Sequence, residues 1–148
     1  MHKLILLVFL ASCGHENPDQ YIEPSLKPIV DEFSREFGTV ESSVVIGTPR
    51  NQSESILGEC QKYQYWNGYK YIDFSRIVIN SRRITEMKPW ILKAVIAHEI
   101  GHCSLNLEHT EAGDGTLTDP YIYSDAEDYY RDNWEYLIND LKAKANKQ

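Results

Sequence analysis

The chemistry of this chain is concentrated in two histidines and a glutamate that form the pattern HExxH. His98, Glu99 and His102 stand within a run of five residues. On an α-helix, residues four apart share one face with Cβ atoms ~6 Å apart, so both imidazoles could reach one metal ion. Glu99 follows about 100° further round the helix, where a carboxylate can contact a metal-activated water without binding the metal. The spacing predicts a zinc site with Glu99 as its general base.

A third ligand should come from the residues that follow the helix. A catalytic zinc ion takes three protein ligands and keeps one position for water. Glu108 and His109 are the nearest candidates, and we expect His109 because neutral imidazole is the better ligand. A carboxylate from a later helix, Glu127 or Glu135, is the alternative, although neither lies in a recognisable motif.

The segment that carries the pattern is otherwise almost entirely apolar. Its apolar residues are Trp90, Ile91, Leu92, Ala94, Val95, Ile96, Ala97, Ile100 and Leu105. We therefore expect a buried helix over residues 85–105, with Pro89 in its first turn. Buried histidines and a buried glutamate need polar partners, which a metal would supply. The alternative is a chance HExxH pattern on a purely structural helix.

Residues 97–110 carry a family resemblance. They resemble the matrixin-type metzincin pattern HEIGHxxGLxHS, with one extra residue between the second and third histidines. They are more similar still to small bacterial metallopeptidases with the signature HELGHCxLxxxH. Asn106 stands where metzincins have a helix-ending Gly, and Asn tolerates the left-handed conformation needed there. The metzincin methionine beneath the zinc has no counterpart, because Met1 and Met87 precede the motif; Thr118 would take that place.

The resemblance implies both a fold and an activity. The fold would be α+β and zincin-like: one domain with a small mixed sheet, a central HExxH helix, and helices at both ends. The activity would be Zn²⁺-dependent hydrolysis of a peptide or protein substrate, with His98, His102 and His109 as ligands. Zincins pair an extended substrate with an exposed sheet edge, which we expect within residues 60–80. A catalytically inactive zinc-binding lipoprotein that acts as a binding module is the alternative, and a metal-free structural lipoprotein is a third possibility.

Segments before the motif predict a helix and a sheet. Apolar residues at helical spacing predict a helix over residues 24–37. A strand is expected over residues 40–46. Alternation over residues 60–66, the turn signal Asn67-Gly68 and strand-like residues 69–74 and 77–79 predict a β-hairpin.

Segments after the motif predict a loop and one more helix. Residues 109–123 are rich in Gly, Asp, Thr and Pro, and we expect a solvent-exposed loop because no EF-hand spacing indicates calcium binding. Tyr121 and Tyr123 could stabilise an oxyanion at the metal, but packing is the expected role of both. A capping box at residues 124–127 predicts the start of one last helix, with an apolar stripe from Tyr130 to Leu141.

The N-terminus predicts export and lipidation. Residues 1–12 contain a short apolar run followed by Leu-Ala-Ser-Cys, which resembles a bacterial lipobox and implies a lipoprotein signal peptide with a lipidated Cys13. Residues 13–21 would be a tether, and residues 22–148 the metallopeptidase domain. We expect a lipoprotein anchored in the membrane of the bacterial cell envelope and facing the periplasm or the cell exterior. An ordinary secretory signal with a stray cysteine is the alternative.

Two other cysteines, Cys60 and Cys103, predict a disulfide. An exported protein meets an oxidising compartment, and closing this loop would stabilise the fold by about 4 kcal/mol. Cys103 is not expected to bind zinc, because it follows His102 directly and would point about 100° away on the helix.

Composition narrows the class of protein and of partner. The chain has 148 residues, of which 42% are hydrophobic, and this favours a folded domain over disorder. The formal net charge is −7 without a basic patch, so nucleic acid is not an expected partner.

Overall fold

The computed structural model describes residues 20–38, 40–51, 53 and 55–147. The described part is α+β, as predicted, with four α-helices and three strands. In chain order the elements are α1 (Lys27–Phe37), β1 (Ser43–Gly47), β2 (Gly58–Trp66), β3 (Tyr71–Asn80), α2 (Pro89–Cys103), α3 (Glu127–Asp132) and α4 (Trp134–Ala145). The predicted signal peptide and Cys13 lie outside the described residues. Within the described ranges, no helix has the length and apolar character needed to cross a membrane.

The three strands form a small mixed sheet in the order β1-β3-β2. β1 runs parallel to β3, and β2 runs antiparallel to it as the other arm of a hairpin. The turn predicted at Asn67-Gly68 is confirmed: the side-chain oxygen of Asn67 accepts hydrogen bonds from the backbone N–H groups of Tyr69 and Lys70, both at 3.0 Å. Gly68 has a φ of +97°, a conformation that suits glycine.

The two edges of the sheet differ. Residues 21–23 run alongside β1, where Glu23 N–H donates to the Val44 carbonyl and Val44 N–H donates to the Tyr21 carbonyl, each at 2.8 Å. At the opposite edge, no described strand pairs with the outer side of β2. The open edge therefore belongs to β2, which the sequence could not distinguish from β3.

The core lies between the sheet and the helices. α2 packs against β2 and β3, and α1 and α3 pack against α2. The largest fully buried side chains include Phe33, Ile77, Ile79, Ile91, Ile96, Ile100, Leu137 and Leu141. Burial of each such side chain contributes roughly 1.5–3 kcal/mol. Because α2 is covered on several sides, its nearly continuous apolar sequence follows from its place in the fold.

The predicted disulfide is present between Cys60 and Cys103, whose Cα atoms are 5.5 Å apart. It joins β2 to the last residue of α2. The sulfur of Cys103 is therefore bonded to that of Cys60 and is not a metal ligand, as predicted.

The single C-terminal helix predicted from the capping box is wrong. The helical segment begins later, at Glu127, with Ala126 at the N-cap and no side-chain cap, and it breaks at Asn133 into α3 and α4. Ser124 lies in a turn outside the helix, where its hydroxyl cannot cap the first turn. The apolar stripe is confirmed, since Tyr130, Leu137, Ile138 and Leu141 are buried.

Other boundaries shift by a few residues. α2 begins at Pro89 instead of residue 85, because Lys88 before the proline is extended, with φ −67° and ψ 156°. Residues 84–86 form a separate 3₁₀ turn, and α2 ends at Cys103 instead of residue 105. β1 begins at Ser43 instead of residue 40, and β3 is continuous where two short segments were predicted.

Candidate metal centre

Three histidine side chains converge at the C-terminal end of α2. The Nε2 atom of His98 lies 3.0 Å from that of His102 and 3.4 Å from that of His109. Each of the three offers one ligand atom, and all of these atoms lie within 4.8 Å of one another. Nitrogens bound tetrahedrally at 2.0–2.1 Å would be ~3.3 Å apart. The cluster therefore has the dimensions of a three-nitrogen metal site.

Backbone carbonyls fix the orientation of the two helical histidines. His98 Nδ1 lies 2.8 Å from the Leu117 carbonyl oxygen, and His102 Nδ1 lies 2.7 Å from the Leu107 carbonyl oxygen. A carbonyl oxygen can only accept, so each Nδ1 carries the proton and donates it. The Nε2 atom of each neutral ring is then left with a free lone pair, as a metal ligand requires.

This arrangement suits a bound cation. Burial, together with the neighbouring His102, lowers the pKa of His98 to about 4. Burial also lowers the pKa of His102. Both rings are thus neutral near pH 7, and two unprotonated nitrogens face each other at 3.0 Å without a hydrogen between them. A metal ion bound by both lone pairs removes this repulsion, so the residues present fit such an ion.

The chain reaches His109 through a reversal at Asn106. Its φ is +52°, and among the described non-glycine residues it alone has a positive φ. The prediction that this residue takes the left-handed conformation is confirmed. Leu107 N–H then donates back to the Gly101 carbonyl at 2.9 Å, which closes the end of α2. The same reversal brings the Leu107 carbonyl to His102.

The loop after His109 is solvent-exposed over residues 111–114, as expected, but its second half turns into the fold. Residues 116–119 are all less than 9% exposed. The Asp119 carboxylate accepts from the backbone N–H groups of Gly113 at 2.8 Å and Tyr121 at 3.0 Å. Leu117, fully buried, thereby presents its carbonyl to His98. Composition did not predict the burial of residues 116–119, because the polar groups there bond to one another.

Thr118, expected beneath the metal, has other partners. Its hydroxyl accepts a hydrogen bond from Lys144 Nζ at 2.7 Å and lies 3.0 Å from the Thr116 hydroxyl. These contacts tie the loop to α4. Thr118 does not line the cavity beside the histidines.

Glu99 lies on the inner wall of the same site. Its side chain is buried, and its carboxylate accepts a hydrogen bond from the backbone N–H of Cys60. Burial raises the pKa of Glu99 to about 8, and the Cys60 N–H opposes that rise. A carboxyl group with a pKa near neutrality can both accept and return a proton.

Gly58 makes the close approach of β2 to Glu99 possible. A Cβ atom at this position would lie 2.7 Å from Val95 Cγ1 and 3.0 Å from Glu99 Cγ. Neither distance leaves room for a side chain. Gly58 was not among the predicted site residues, although a glycine at the start of a strand is itself a signal of close backbone approach.

A cavity of about 650 Å³ opens beside the histidines. Its lining comes from β2 and the segment before it, from α2, and from the loops after α2; it includes Leu57, Gly58, Cys60, Lys62, Val95, Glu108, Pro120, Tyr121 and Ile122. Tyr121 is 59% exposed and lines this cavity, and its ring lies 6.5 Å from that of Tyr123. Tyr123 is 46% exposed, and its backbone N–H donates to the Tyr130 hydroxyl at 3.2 Å.

The alternative carboxylate ligands are not in the cluster. Glu127 pairs with Lys88 at 3.5 Å, and Glu135 lines a separate groove between α1 and α4. Glu108 lines the main cavity, but among the described residues the grouped ligands are His98, His102 and His109.

Comparison with known proteins gives no relative: no protein-family model, no curated protein and no solved structure matches the chain.

Proposed function

We propose that this protein is a zinc-dependent metallopeptidase of the bacterial cell envelope. The observation that carries the proposal is the convergence of three imidazole nitrogens beside a buried glutamate in an open cavity. The two helical histidines have their Nδ1 protons engaged by backbone carbonyls, so their lone pairs are directed at one point. Such an arrangement is the usual support for a histidine-ligated zinc ion.

In this proposal His98, His102 and His109 hold the zinc. Bound zinc supplies Lewis-acid chemistry, polarising a carbonyl and lowering the pKa of water toward 7. Glu99 takes the proton from the attacking water and delivers it to the leaving amine. The hydrogen bond from the Cys60 N–H would orient the Glu99 carboxylate for this role.

The open edge of β2 is the proposed binding surface for an extended peptide. Residues 58–60 of this strand line the cavity. The Glu99 carboxylate accepts a hydrogen bond from the backbone N–H of Cys60 in the same strand. A peptide that paired with this edge would pass along the histidine cluster, with backbone hydrogen bonds supplying affinity. The volume of about 650 Å³ is within the range of small-ligand and peptide side-chain sites.

The inactive zinc-binding module is the weaker alternative. A closed structural zinc site takes four protein ligands. The described residues bring together three, and the remaining direction opens to the cavity. A buried glutamate beside the cluster also has no role in a purely structural site.

Hydrolysis of a mixed library of internally quenched peptides tests the activity. We expect zinc-loaded protein to cleave members of the library, and Glu99→Gln to lose at least about 10²-fold in rate with its zinc retained. Glu41→Gln is the matched control, because Glu41 is exposed and far along the chain from the motif. Equal rates for wild type and Glu99→Gln would refute the proposed role of Glu99, and absence of cleavage across the library would favour the inactive module.

A further inference from the structure

The tip of the β2–β3 hairpin exposes an unusual concentration of aromatic side chains. Trp66 is 56% exposed, Tyr69 is 92% exposed and Tyr71 is 67% exposed. The rings of Trp66 and Tyr71 lie 5.2 Å apart, so they form one surface. Lys70 carries the single charge between Gln64 and Ile72. We call Trp66, Tyr69, Lys70 and Tyr71 the aromatic tip.

The aromatic tip projects beyond the rest of the sheet. β1 begins at Ser43, opposite Arg76 of β3. β3 begins earlier, at Tyr71, so the residues before Arg76 extend roughly 16 Å past the start of β1 at ~3.3 Å per residue. The aromatic side chains are therefore the leading surface at this end of the sheet.

The N-terminal segment enters the fold from the same end. Ile22 bridges Val44 in the parallel sense. Gln20 and Tyr21, the described residues before Ile22, therefore lie toward the start of β1, which is the end from which the hairpin projects. Cys13, the proposed lipidation site, precedes Gln20 by a segment that can span up to ~25 Å when extended. A segment of that length would let the aromatic tip contact the membrane in which a lipid on Cys13 is anchored.

We propose that the aromatic tip docks on the headgroup layer of a phospholipid bilayer. Trp and Tyr combine an apolar ring with a polar edge and are favoured at membrane–water interfaces. Lys70 would contact lipid phosphates, and the tip carries no carboxylate to oppose an anionic surface. The proposal relies on the proposed lipid anchor for its orientation but not on peptidase activity.

Docking of this kind would set the distance between the metal centre and the membrane surface. β2 leads from Trp66 at the tip to Cys60 beside Glu99, a distance of roughly 20 Å along the strand. The cavity would then face substrates that lie close to the membrane surface.

Fluorescence quenching by lipid tests the proposal directly. The protein, as purified with its own N-terminus, is combined with vesicles of phosphatidylethanolamine and phosphatidylglycerol that carry brominated acyl chains. The Trp66 signal is the difference between wild type and Trp66→Phe, which keeps an aromatic ring at the tip. We expect this signal to lose at least half of its intensity in brominated vesicles relative to unbrominated ones.

A matched control separates docking from simple tethering. Tyr136 lies on α4 and is 62% exposed, so the double variant Trp66→Phe/Tyr136→Trp carries an indole at a comparably exposed position elsewhere. We expect no comparable quenching of that indole. Equal quenching at both positions, or none at position 66, would overturn the proposal. Self-association without vesicles that is abolished by Trp66→Ser would assign the tip to a second copy of the chain and would also overturn it.

Discussion

The backbone N–H of Cys60 donates a hydrogen bond to the carboxylate of Glu99. The bond links the open edge of β2 to the residue that follows the first histidine of the motif. Cys60 is also the residue whose sulfur is joined to Cys103 at the end of α2. The strand is thus attached to the helix at the candidate general base and again at Cys103, one helical turn later.

Substitution of Gly58 should displace Glu99 without removing the histidines. In Gly58→Ala the new methyl group would lie 2.7 Å from Val95 Cγ1 and 3.0 Å from Glu99 Cγ, so β2 or these side chains of α2 must move. A displacement of about 1 Å at a catalytic group can cost about 10²-fold in rate. We expect a loss of that order in peptide hydrolysis with zinc content unchanged.

Gly47→Ala is the control for this substitution. A Cβ atom at Gly47 would meet its nearest neighbour, Val78 Cγ1, at 3.5 Å, an ordinary contact. Its rate should match that of wild type. If Gly58→Ala is as active as Gly47→Ala, the tight contact with Glu99 has no functional role.

Loss of the disulfide should lower the free energy of unfolding. The bond closes a loop with a sequence separation of 43 residues. In the chain-entropy model, a loop of this length contributes about 4 kcal/mol. Urea denaturation of Cys60→Ala/Cys103→Ala should show a decrease of that order, and reductant should lower the stability of wild type but not of the double variant. Equal midpoints for both proteins under oxidising conditions would refute the stabilising role.

The stability of the metal-free protein should depend on the ionisation of Glu99. Burial raises its pKa from 4.5 to about 8, so the folded state retains a proton that the unfolded chain releases over this window. The stability that this proton provides is complete below pH 4.5 and is lost as the pH rises through about 8. Glu99→Gln cannot ionise, so its stability relative to wild type should increase from about pH 5 to about pH 9, by up to a few kcal/mol.

Denaturation of both proteins in the presence of a chelator measures this difference. The pKa of His98 is lowered to about 4, which acts in the opposite direction between about pH 4 and 6.5. Because wild type and Glu99→Gln share that histidine, its effect cancels in the comparison. A difference that stays constant with pH would show that Glu99 does not titrate in this window.

The conformation of Asn106 should control the third ligand. Its φ of +52° is tolerated by Gly and Asn but strained by about 1–2 kcal/mol for most other side chains. Asn106→Val should therefore weaken zinc binding by displacing the turn that leads to His109, whereas Asn106→Gly should retain it. Competition with a chromogenic chelator measures both affinities. Equal affinities would mean that the turn does not position His109.

The sequence predicted those parts of the site that depend on local geometry. His98 and His102 share a face because helical periodicity alone brings positions i and i+4 together. The turn at Asn106 could also be predicted, since few residues adopt a positive φ. Both features depend only on residues within about ten positions of one another, so the local sequence is enough to predict them.

Features that depend on distant backbone could not be predicted in the same way. The carbonyls of Leu107 and Leu117 orient the histidines, but every residue has a carbonyl, so no residue type marks this role. The burial of residues 116–119 arises from hydrogen bonds within the loop and to Lys144 on α4, which composition does not reveal. The capping box predicted the wrong start for the helix. Ser124 and Glu127 match its pattern, but the chain turns between them and the helix begins only at Glu127.

The zinc content of the purified protein tests the central claim most directly. We predict about one zinc per chain in wild type and in Glu99→Gln, clear loss in His102→Ala and His109→Ala, and retention in Glu108→Ala, because the three histidines supply the ligands. Mass-spectrometric metal analysis after exposure to zinc and removal of excess gives these values. Wild-type protein without zinc under these conditions would contradict the metal centre and, with it, the proposed peptidase.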